Sequence, residues 1–188
     1  MSRLAVVGAS WGGMDAVGRL VQALDARNQL AIAVAQHRSP DADGTLLRYL
    51  GARSPLPVVE AEDKTPIDPG HVYLAPPDYH LFVEEGSFAL STEGAVRFSR
   101  PSIDLLFESA ADAYGEDVVA VVLTGANDDG CRGVLAVKEA GGLTIAQDPS
   151  TAERPEMPAG AIGSGAVDLV LPIEQIARRL NELGRVAA

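Results

Sequence analysis

The 188-residue sequence predicts an α/β fold of three layers (α/β/α), in which helices cover both faces of a doubly wound, mostly parallel sheet with a small β-hairpin excursion. Two patterns indicate this class. Short apolar runs typical of strands buried on both faces alternate with segments whose apolar residues recur at helical spacing. In addition, no internal repeat, low-complexity segment or change of composition divides the chain. We therefore expect one domain over residues 1–188.

The strands are predicted from apolar runs that end at glycine or at polar residues, and Val118–Leu123 has the strongest strand pattern. In chain order, the predicted strands of the sheet are Leu4–Val7, Leu30–Ala35, Val58–Ala61, Val72–Ala75, Val118–Leu123, Leu143–Ala146 and Val167–Leu171. His80–Val83 and Ser87–Leu90, joined through Glu85 and Gly86, predict a hairpin. We expect the region of about Val72–Leu90 to project from the sheet.

The helices are predicted from apolar residues that fall on one face. A first helix runs from about Gly13 to Leu24, and another begins near Pro101, because proline is favoured in a first turn. The remaining predicted helices are Thr45–Ala52, Gly130–Ala140, which Gly141 and Gly142 end, and Ile173–Leu183.

The composition is that of a globular protein, with 47% hydrophobic and 22% charged residues. Acidic residues outnumber basic ones by 26 to 15, and the formal net charge of −11 disfavours binding to nucleic acid or to an anionic membrane. No run approaches the roughly 18 apolar residues of a membrane helix, so no membrane insertion is expected. The single cysteine, Cys131, excludes an internal disulfide framework and fits a reducing cytoplasm.

Three predicted strands end in residues with reactive side chains. The first strand leads to Ser10, the second to His37, and Val118–Leu123 to a loop that contains Asp128 and Asp129. The carboxyl ends of parallel strands meet at one edge of the sheet, so we expect these groups to lie close together. A serine that attacks, an imidazole that removes its proton and a carboxylate that orients the imidazole form the constellation of nucleophilic catalysis.

Other kinds of site fit these residues less well. A dinucleotide loop would need a glycine where Ser10 stands, and the Walker lysine is absent. Ser10 lies in a GxSxG sequence, but the α/β-hydrolase fold places several strands before its serine and a histidine late in the chain. His37, His71 and His80 lack the spacing of metal ligands, and Cys131 has no partner cysteine, so no metal site is expected. We interpret His71, His80 and Cys131 as structural or surface residues.

An ordered series of motifs resembles the catalytic domain of CheB-type protein-glutamate methylesterases over about Leu4 to Leu180. The motifs are GASWGG at Gly8–Gly13, AQH at Ala35–His37, AED and PGHVYLAPPDYH within Ala61–His80, RPSIDLLFESAA at Arg100–Ala111, LTG and DG within Leu123–Gly130, AGGLTIAQD at Ala140–Asp148, and MPAGAI at Met157–Ile162. The resemblance implies a catalytic triad of Ser10, His37 and Asp129, and it selects Asp129 over Asp128.

The resemblance also implies the reaction, which is hydrolysis of γ-glutamyl methyl esters on the cytoplasmic helices of methyl-accepting chemotaxis receptors, with glutamine deamidation in many members. It calls for no cofactor and no metal, and it implies a cytoplasmic location. For the oxyanion that develops during attack, the candidate donors are the backbone N–H groups of Trp11 and Ala126. Many family members carry an N-terminal receiver domain, whereas this sequence starts at the first strand of the catalytic domain, as in an excised fragment or a stand-alone member.

The sequence departs from the family pattern at three points. Trp11 stands where a small residue or threonine is frequent, Ala126-Asn127 replaces a frequent Met-Gly, and Arg38-Ser39 follows the histidine where methionine is common. Two alternatives therefore stay open beside the receptor methylesterase. One is a catalytically weak or inactive binding module with the same fold, and the other is a small-molecule carboxylesterase.

Overall fold

A computed structural model describes residues 3–96 and 99–185. Its centre is a sheet of seven parallel strands in the order β3-β4-β2-β1-β7-β8-β9. The strands of this sheet are β1 (Leu4–Ala9), β2 (Ala31–Gln36), β3 (Val58–Glu60), β4 (Val72–Leu74), β7 (Val118–Val122), β8 (Leu143–Gln147) and β9 (Leu169–Leu171). Every residue of β1, β2 and β7 is buried, as expected for strands that are covered on both faces.

In the described residues, six α-helices form the outer two layers of the molecule. They are α1 (Gly13–Gln22), α2 (Thr45–Gly51), α3 (Ile103–Tyr114), α4 (Cys131–Glu139), α5 (Glu156–Gly163) and α6 (Ile173–Leu183). Successive side chains of a strand point to opposite faces of a sheet. Accordingly, Leu4 and Val6 of β1 pack with α3, α4 and α5, whereas Ala5 and Val7 pack with α1, α2 and α6. The prediction of a three-layer α/β/α fold is therefore confirmed.

The chain winds outward from the middle of the sheet in both directions. From β1 it passes through β2 to the edge formed by β3 and β4, and it then returns to β7, on the other side of β1, before it continues to β8 and β9. The connections after the neighbouring strands β1 and β7 consequently run in opposite directions along the sheet. Such a switch point leaves a crevice at the carboxyl ends of the two strands.

The hairpin forms a separate two-stranded antiparallel sheet of β5 (His80–Glu84) and β6 (Ser87–Ser91). It packs on α3, where the N–H of Val83 donates to Oγ of Ser109 at 3.0 Å. The excursion is shorter than the predicted Val72–Leu90, because β4 pairs with β2 and β3 inside the main sheet.

One helix begins two residues later than the expected start, and another was not predicted. The helix expected to begin near Pro101 begins at Ile103, because Ser102 is its N-cap and its Oγ accepts the N–H of Leu105. Helix α5 was not predicted, since its proline and two glycines favour turns; Pro158 is tolerated because it lies in the first turn, where N–H groups lack intrahelical partners. Within residues 3–96 and 99–185, no helix has the length and apolar character needed to cross a bilayer.

Candidate active site

Ser10 lies on a tight turn between β1 and α1. Its N–H donates to the carbonyl of Thr124 at 2.9 Å, and its own carbonyl accepts the N–H of Gly13 at 2.8 Å. The turn requires Gly12, which has a φ of 76° and whose Cβ, if present, would lie 2.7 Å from Oε2 of Glu153. These contacts hold the serine at the switch point, directly beside the loop that follows β7.

His37 follows β2 directly and is held against the end of β1, where its N–H donates to the carbonyl of Ala9 at 3.0 Å. Its imidazole lies between two other side chains: Nδ1 is 3.1 Å from Oγ of Ser10, and Nε2 is 2.7 Å from Oδ2 of Asp129. Only 10% of the His37 side chain and none of the Asp129 side chain are exposed. The structure thus brings together the three residues that the strand ends and the resemblance select.

Asp129 is held by the N-terminus of α3. Its Oδ2 accepts the N–H of Ile103 at 2.8 Å, and its Oδ1 accepts the N–H of Asp104 at 2.9 Å and the hydroxyl of Ser102 at 3.2 Å. Burial by itself would raise the pKa of this carboxyl. The hydrogen bonds from His37, Ile103 and Asp104 outweigh burial and keep the pKa of Asp129 below its ordinary value. Asp128, the neighbouring candidate, is exposed.

The ionised carboxylate determines which imidazole nitrogen carries the proton. Because Oδ2 of Asp129 can only accept, Nε2 of neutral His37 donates to it, and the lone pair of Nδ1 faces Oγ of Ser10. A second hydroxyl, Oγ of Ser99, lies 3.3 Å from the same Nδ1. An imidazole in this state can accept a proton from Ser10, as a nucleophilic serine requires.

A cavity of about 660 Å³ opens over Ser10 and His37. Among the residues that the structure describes, two arginines lie in its wall, and each is paired with a carboxylate. Its remaining lining residues are Arg38, Pro40, Asp78, Gly94, Ala95, Ser99, Arg100 and Asn127.

The two arginines differ in how their guanidinium groups are bound. Arg100 donates to the carboxylate of Asp78 and to the carbonyls of Thr92 and Glu93. Arg38, with 8% of its side chain exposed, donates from Nη2 to Glu60 at 3.0 Å and to the carbonyl of Ala75. Its Nε and Nη1 are buried and have no hydrogen-bond partner in the part of the chain that the structure describes.

The candidate oxyanion donors belong to two loops: Trp11 directly follows Ser10, and Ala126 lies in the loop after β7. Within the described ranges, the backbone N–H groups of Trp11 and Ala126 donate to no protein acceptor, so they are available to a ligand. The indole of Trp11 is 59% exposed and does not line the cavity. Its Nε1–H donates to Oε1 of Glu153 at 2.9 Å, and the guanidinium of Arg154 lies 5.3 Å from the ring centroid.

The other histidines lie outside the reactive cluster. His71 stacks on Tyr73. His80 is fully buried: its Nδ1 accepts the N–H of Ser102 at 3.1 Å, and its Nε2 contacts the carbonyl of Gly94. Among the residues that the structure describes, no group of three or more His, Cys, Asp and Glu residues could hold a metal ion.

Sequence reasoning missed the residues at the N-terminus of α3 that bind Asp129, namely the N-cap Ser102 and the first two helical residues, Ile103 and Asp104. The available signal was a serine before an apolar helical run, which is typical of an N-cap, but it does not indicate what that helix contacts.

The fold and the site define a class: doubly wound α/β proteins with a serine, a histidine and an aspartate gathered at the switch point of the sheet. The family model described as CheB methylesterase matches residues 5–180. The chain therefore belongs to the CheB methylesterase family.

Similar proteins span either this domain alone or a longer chain. A protein of Leptospira interrogans named "Putative protein-glutamate methylesterase/protein-glutamine glutaminase" is 43% identical over 173 residues, which are 92% of this chain and 90% of that protein. A protein-glutamate methylesterase/protein-glutamine glutaminase of Anaeromyxobacter dehalogenans is 40% identical, and the match covers 97% of this chain but 53% of the relative. The crystal structure of the Thermotoga maritima CheB methylesterase catalytic domain superimposes with a TM-score of 0.93 at 35% identity, covering 97% of this chain and 99% of that one.

Proposed function

We propose that this chain is a serine hydrolase that removes methyl groups from γ-glutamyl methyl esters of methyl-accepting chemotaxis receptors, with Ser10, His37 and Asp129 as its catalytic triad. One observation carries the proposal: the imidazole of His37 lies within hydrogen-bonding distance of both the Ser10 hydroxyl and the Asp129 carboxylate. The named activity of the relatives supports the choice of substrate.

In the first step, Oγ of Ser10 attacks the side-chain ester carbon while Nδ1 of His37 takes the hydroxyl proton. The imidazolium that forms is stabilised by the carboxylate of Asp129, which is itself held ionised by α3. The tetrahedral intermediate collapses when the bond from carbon to the methoxy oxygen breaks. The proton on Nδ1 passes to that oxygen, methanol leaves, and a glutamyl ester of Ser10 remains.

The negative oxygen of the tetrahedral intermediate needs donors that are already in place. The N–H groups of Trp11, the residue after Ser10, and of Ala126, in the loop after β7, have no competing protein acceptor in the described residues, so we assign them this role. Both donors belong to the backbone, so the departures from the family pattern at Trp11 and Ala126 do not remove them.

In the second step, water takes the place of methanol. Nδ1 of His37 removes a proton from the water, whose oxygen attacks the glutamyl ester, and the bond to Oγ of Ser10 breaks as the proton returns to Oγ. The products are the free enzyme and a glutamic acid side chain, which releases its proton to solvent and becomes the carboxylate. Neither step calls for a cofactor or a metal ion. The same sequence with a glutamine side chain releases ammonia, which matches the glutaminase activity in the relatives' names.

The proposed partners are the cytoplasmic helices of these receptors, which places the protein in the cytoplasm. The family of this chain and the names of its relatives support this choice of partner.

The test is release of methanol from methylated receptor fragments by the wild-type protein and by Ser10→Ala and His37→Gln variants. We expect turnover by the wild type and a loss of about 10³-fold or more in either variant. Equal release by wild type and Ser10→Ala would overturn the triad. Turnover of simple esters without any release from receptor fragments would favour the small-molecule carboxylesterase, and turnover of neither substrate would favour the binding module.

A further inference from the structure

The N-termini of helices α3 and α4 are in contact, and each one binds a carboxylate that comes from the N-terminal region of the other. Asp129, which lies just before α4, accepts the N–H groups of Ile103 and Asp104 in the first turn of α3. Asp104 in turn reaches the start of α4, where its Oδ1 accepts the N–H of Gly130 and the N–H of Gly133, each at 2.9 Å. Each helix thus supplies the negative charge that the N-terminus of the other one favours.

These reciprocal contacts of Asp104 and Asp129 are buried and closely packed. Neither Asp104 nor Asp129 has an exposed side chain, and a Cβ on Gly133 would lie only 2.5 Å from Cβ of Phe107 on α3. The second oxygen of Asp104 accepts from Nε of Arg132 at 3.2 Å. Removal of the Asp104 carboxylate would leave two buried N–H groups without their acceptor, so the α4 end of the loop would have to shift to regain hydrogen bonds.

That shift would act on the triad, because Gly130 is bonded covalently to Asp129. The N–H of Gly130 belongs to the peptide group that begins with the carbonyl of Asp129, so the bond to Asp104 fixes the backbone plane from which the Asp129 side chain projects. From that plane, Oδ2 reaches Nε2 of His37 at 2.7 Å. A displacement of about 1 Å at this point can cost about 100-fold in rate.

We infer that Asp104 is a positioning residue, which holds the Asp129 loop so that the carboxylate meets His37. The inference rests on the proposed function only in taking Asp129 as the partner of His37. Asp104 itself does not touch the reacting atoms. It acts through the peptide between Asp129 and Gly130, and the reciprocal contact of Asp129 with α3 fixes the other end of the same loop.

The experiment compares variants of Asp104 with a control that loses stability elsewhere in the same helix pair. Asp104→Ala removes both carboxylate oxygens. Asp104→Asn, in contrast, keeps a carbonyl oxygen that can accept the N–H groups of Gly130 and Gly133. Asp104→Ser keeps a polar group too short to reach both, and it serves if the alanine variant does not fold. Val137→Ala truncates a buried side chain of α4 outside the site and provides the control for lost stability.

Two measurements report on the geometry of the site and not only on the stability of the fold. The first is the rate at which a fluorophosphonate labels Ser10, which needs an activated serine but no receptor. The second is the low-field proton resonance of the Nε2–H of His37, which reports its hydrogen bond to Asp129. Methanol release from receptor fragments, measured as kcat and KM separately, is followed in parallel.

For Asp104→Ala we expect labelling to slow by about 100-fold, the low-field resonance to disappear, and kcat to fall while KM changes little. Asp104→Asn keeps the resonance and labels within about fivefold of the wild-type rate, since the geometry is retained. Val137→Ala, at an equal loss of Tm, labels at the wild-type rate.

The inference is overturned if folded Asp104→Ala or Asp104→Ser keeps the resonance and the labelling rate, or if Val137→Ala slows labelling as much as they do. A wild-type protein that labels but releases no methanol from receptor fragments would contradict the proposed substrate and leave the test of Asp104 intact.

Discussion

Oδ2 of Asp129 accepts from two donors at once, Nε2 of His37 at 2.7 Å and the N–H of Ile103 at 2.8 Å. The carboxylate is therefore bound both to the histidine that follows β2 and to the N-terminus of α3, a helix on the face of the sheet. This double contact explains how a fully buried acid stays ionised, and it links the chemistry of the site to the stability of the fold.

Asp129→Asn is expected to lower kcat for methanol release by about 10³- to 10⁴-fold while the protein stays folded. An amide N–H facing Nε2 would favour the tautomer with the proton on Nδ1, and that tautomer cannot accept the proton of Ser10. Steady-state kinetics on receptor fragments, with circular dichroism as the control for folding, checks this. A variant that keeps more than about a tenth of the activity would show that His37 does not depend on the carboxylate.

The stability of the protein is expected to depend on the ionisation of Asp129. The pKa of this carboxyl in the folded state lies below its ordinary value of 3.8, so its stabilising contribution is complete above that pH and is lost as the pH falls through the folded pKa. The difference in the free energy of unfolding between wild type and Asp129→Asn should therefore shrink as the pH falls below about 4. Urea unfolding of both proteins from neutral to acidic pH measures it, and a difference that stays constant would contradict the assignment.

Gly125→Ala is expected to lower the free energy of unfolding by about 1–3 kcal/mol and to slow the labelling of Ser10. A Cβ at this position would lie 2.6 Å from Sδ of buried Met157 and 3.0 Å from Cβ of Ser10, so Ser10 would have to move. Gly163→Ala is the matched control, because a Cβ there meets nothing within 4 Å. The control should gain up to about 0.5 kcal/mol and label normally, since alanine is the better helix former. Equal behaviour of the two variants in urea unfolding and labelling would argue against the close packing.

Arg38→Met is expected to raise the free energy of unfolding by about 1 kcal/mol, because it removes a buried guanidinium with two unpartnered nitrogens and keeps most of the apolar volume. Glu60→Gln should have the opposite effect and lower it by about 1–2 kcal/mol, since Arg38 then loses the carboxylate at 3.0 Å. Thermal and urea unfolding of the two variants provide the comparison. A loss of stability in Arg38→Met would mean that its ion pair outweighs the cost of burial.

The parts of the fold that could be predicted are those in which local pattern and tertiary environment agree. The apolar runs of β1, β2 and β7 are buried on both faces, and the helix Ile173–Leu183 has the predicted bounds because its apolar face follows helical spacing. Helix α5 escaped prediction, since its residues favour turns when they are considered alone and become helical where they pack against β8 and α4.

The residues of the candidate site also include some that could be predicted from the sequence and some that could not. Parallel strands bring their carboxyl ends together, which is why Ser10 and His37 could be selected from the pattern alone. The choice of Asp129 over Asp128 needed the resemblance, because adjacent residues in a loop have no periodicity to separate them. The places of His80, Ser102 and Asp104 depend on how the hairpin and α3 pack after β4, and no local pattern encodes that packing. The catalytic roles of the triad stay a prediction until the variants are measured.

Trp11 is the only tryptophan in the chain, and its indole stands in solvent one residue beyond Ser10. The protein therefore carries an intrinsic optical reporter whose emission comes from a single place. A partner that covers the indole excludes water from it and moves its fluorescence to shorter wavelength, so binding at this end of α1 can be timed without an attached dye.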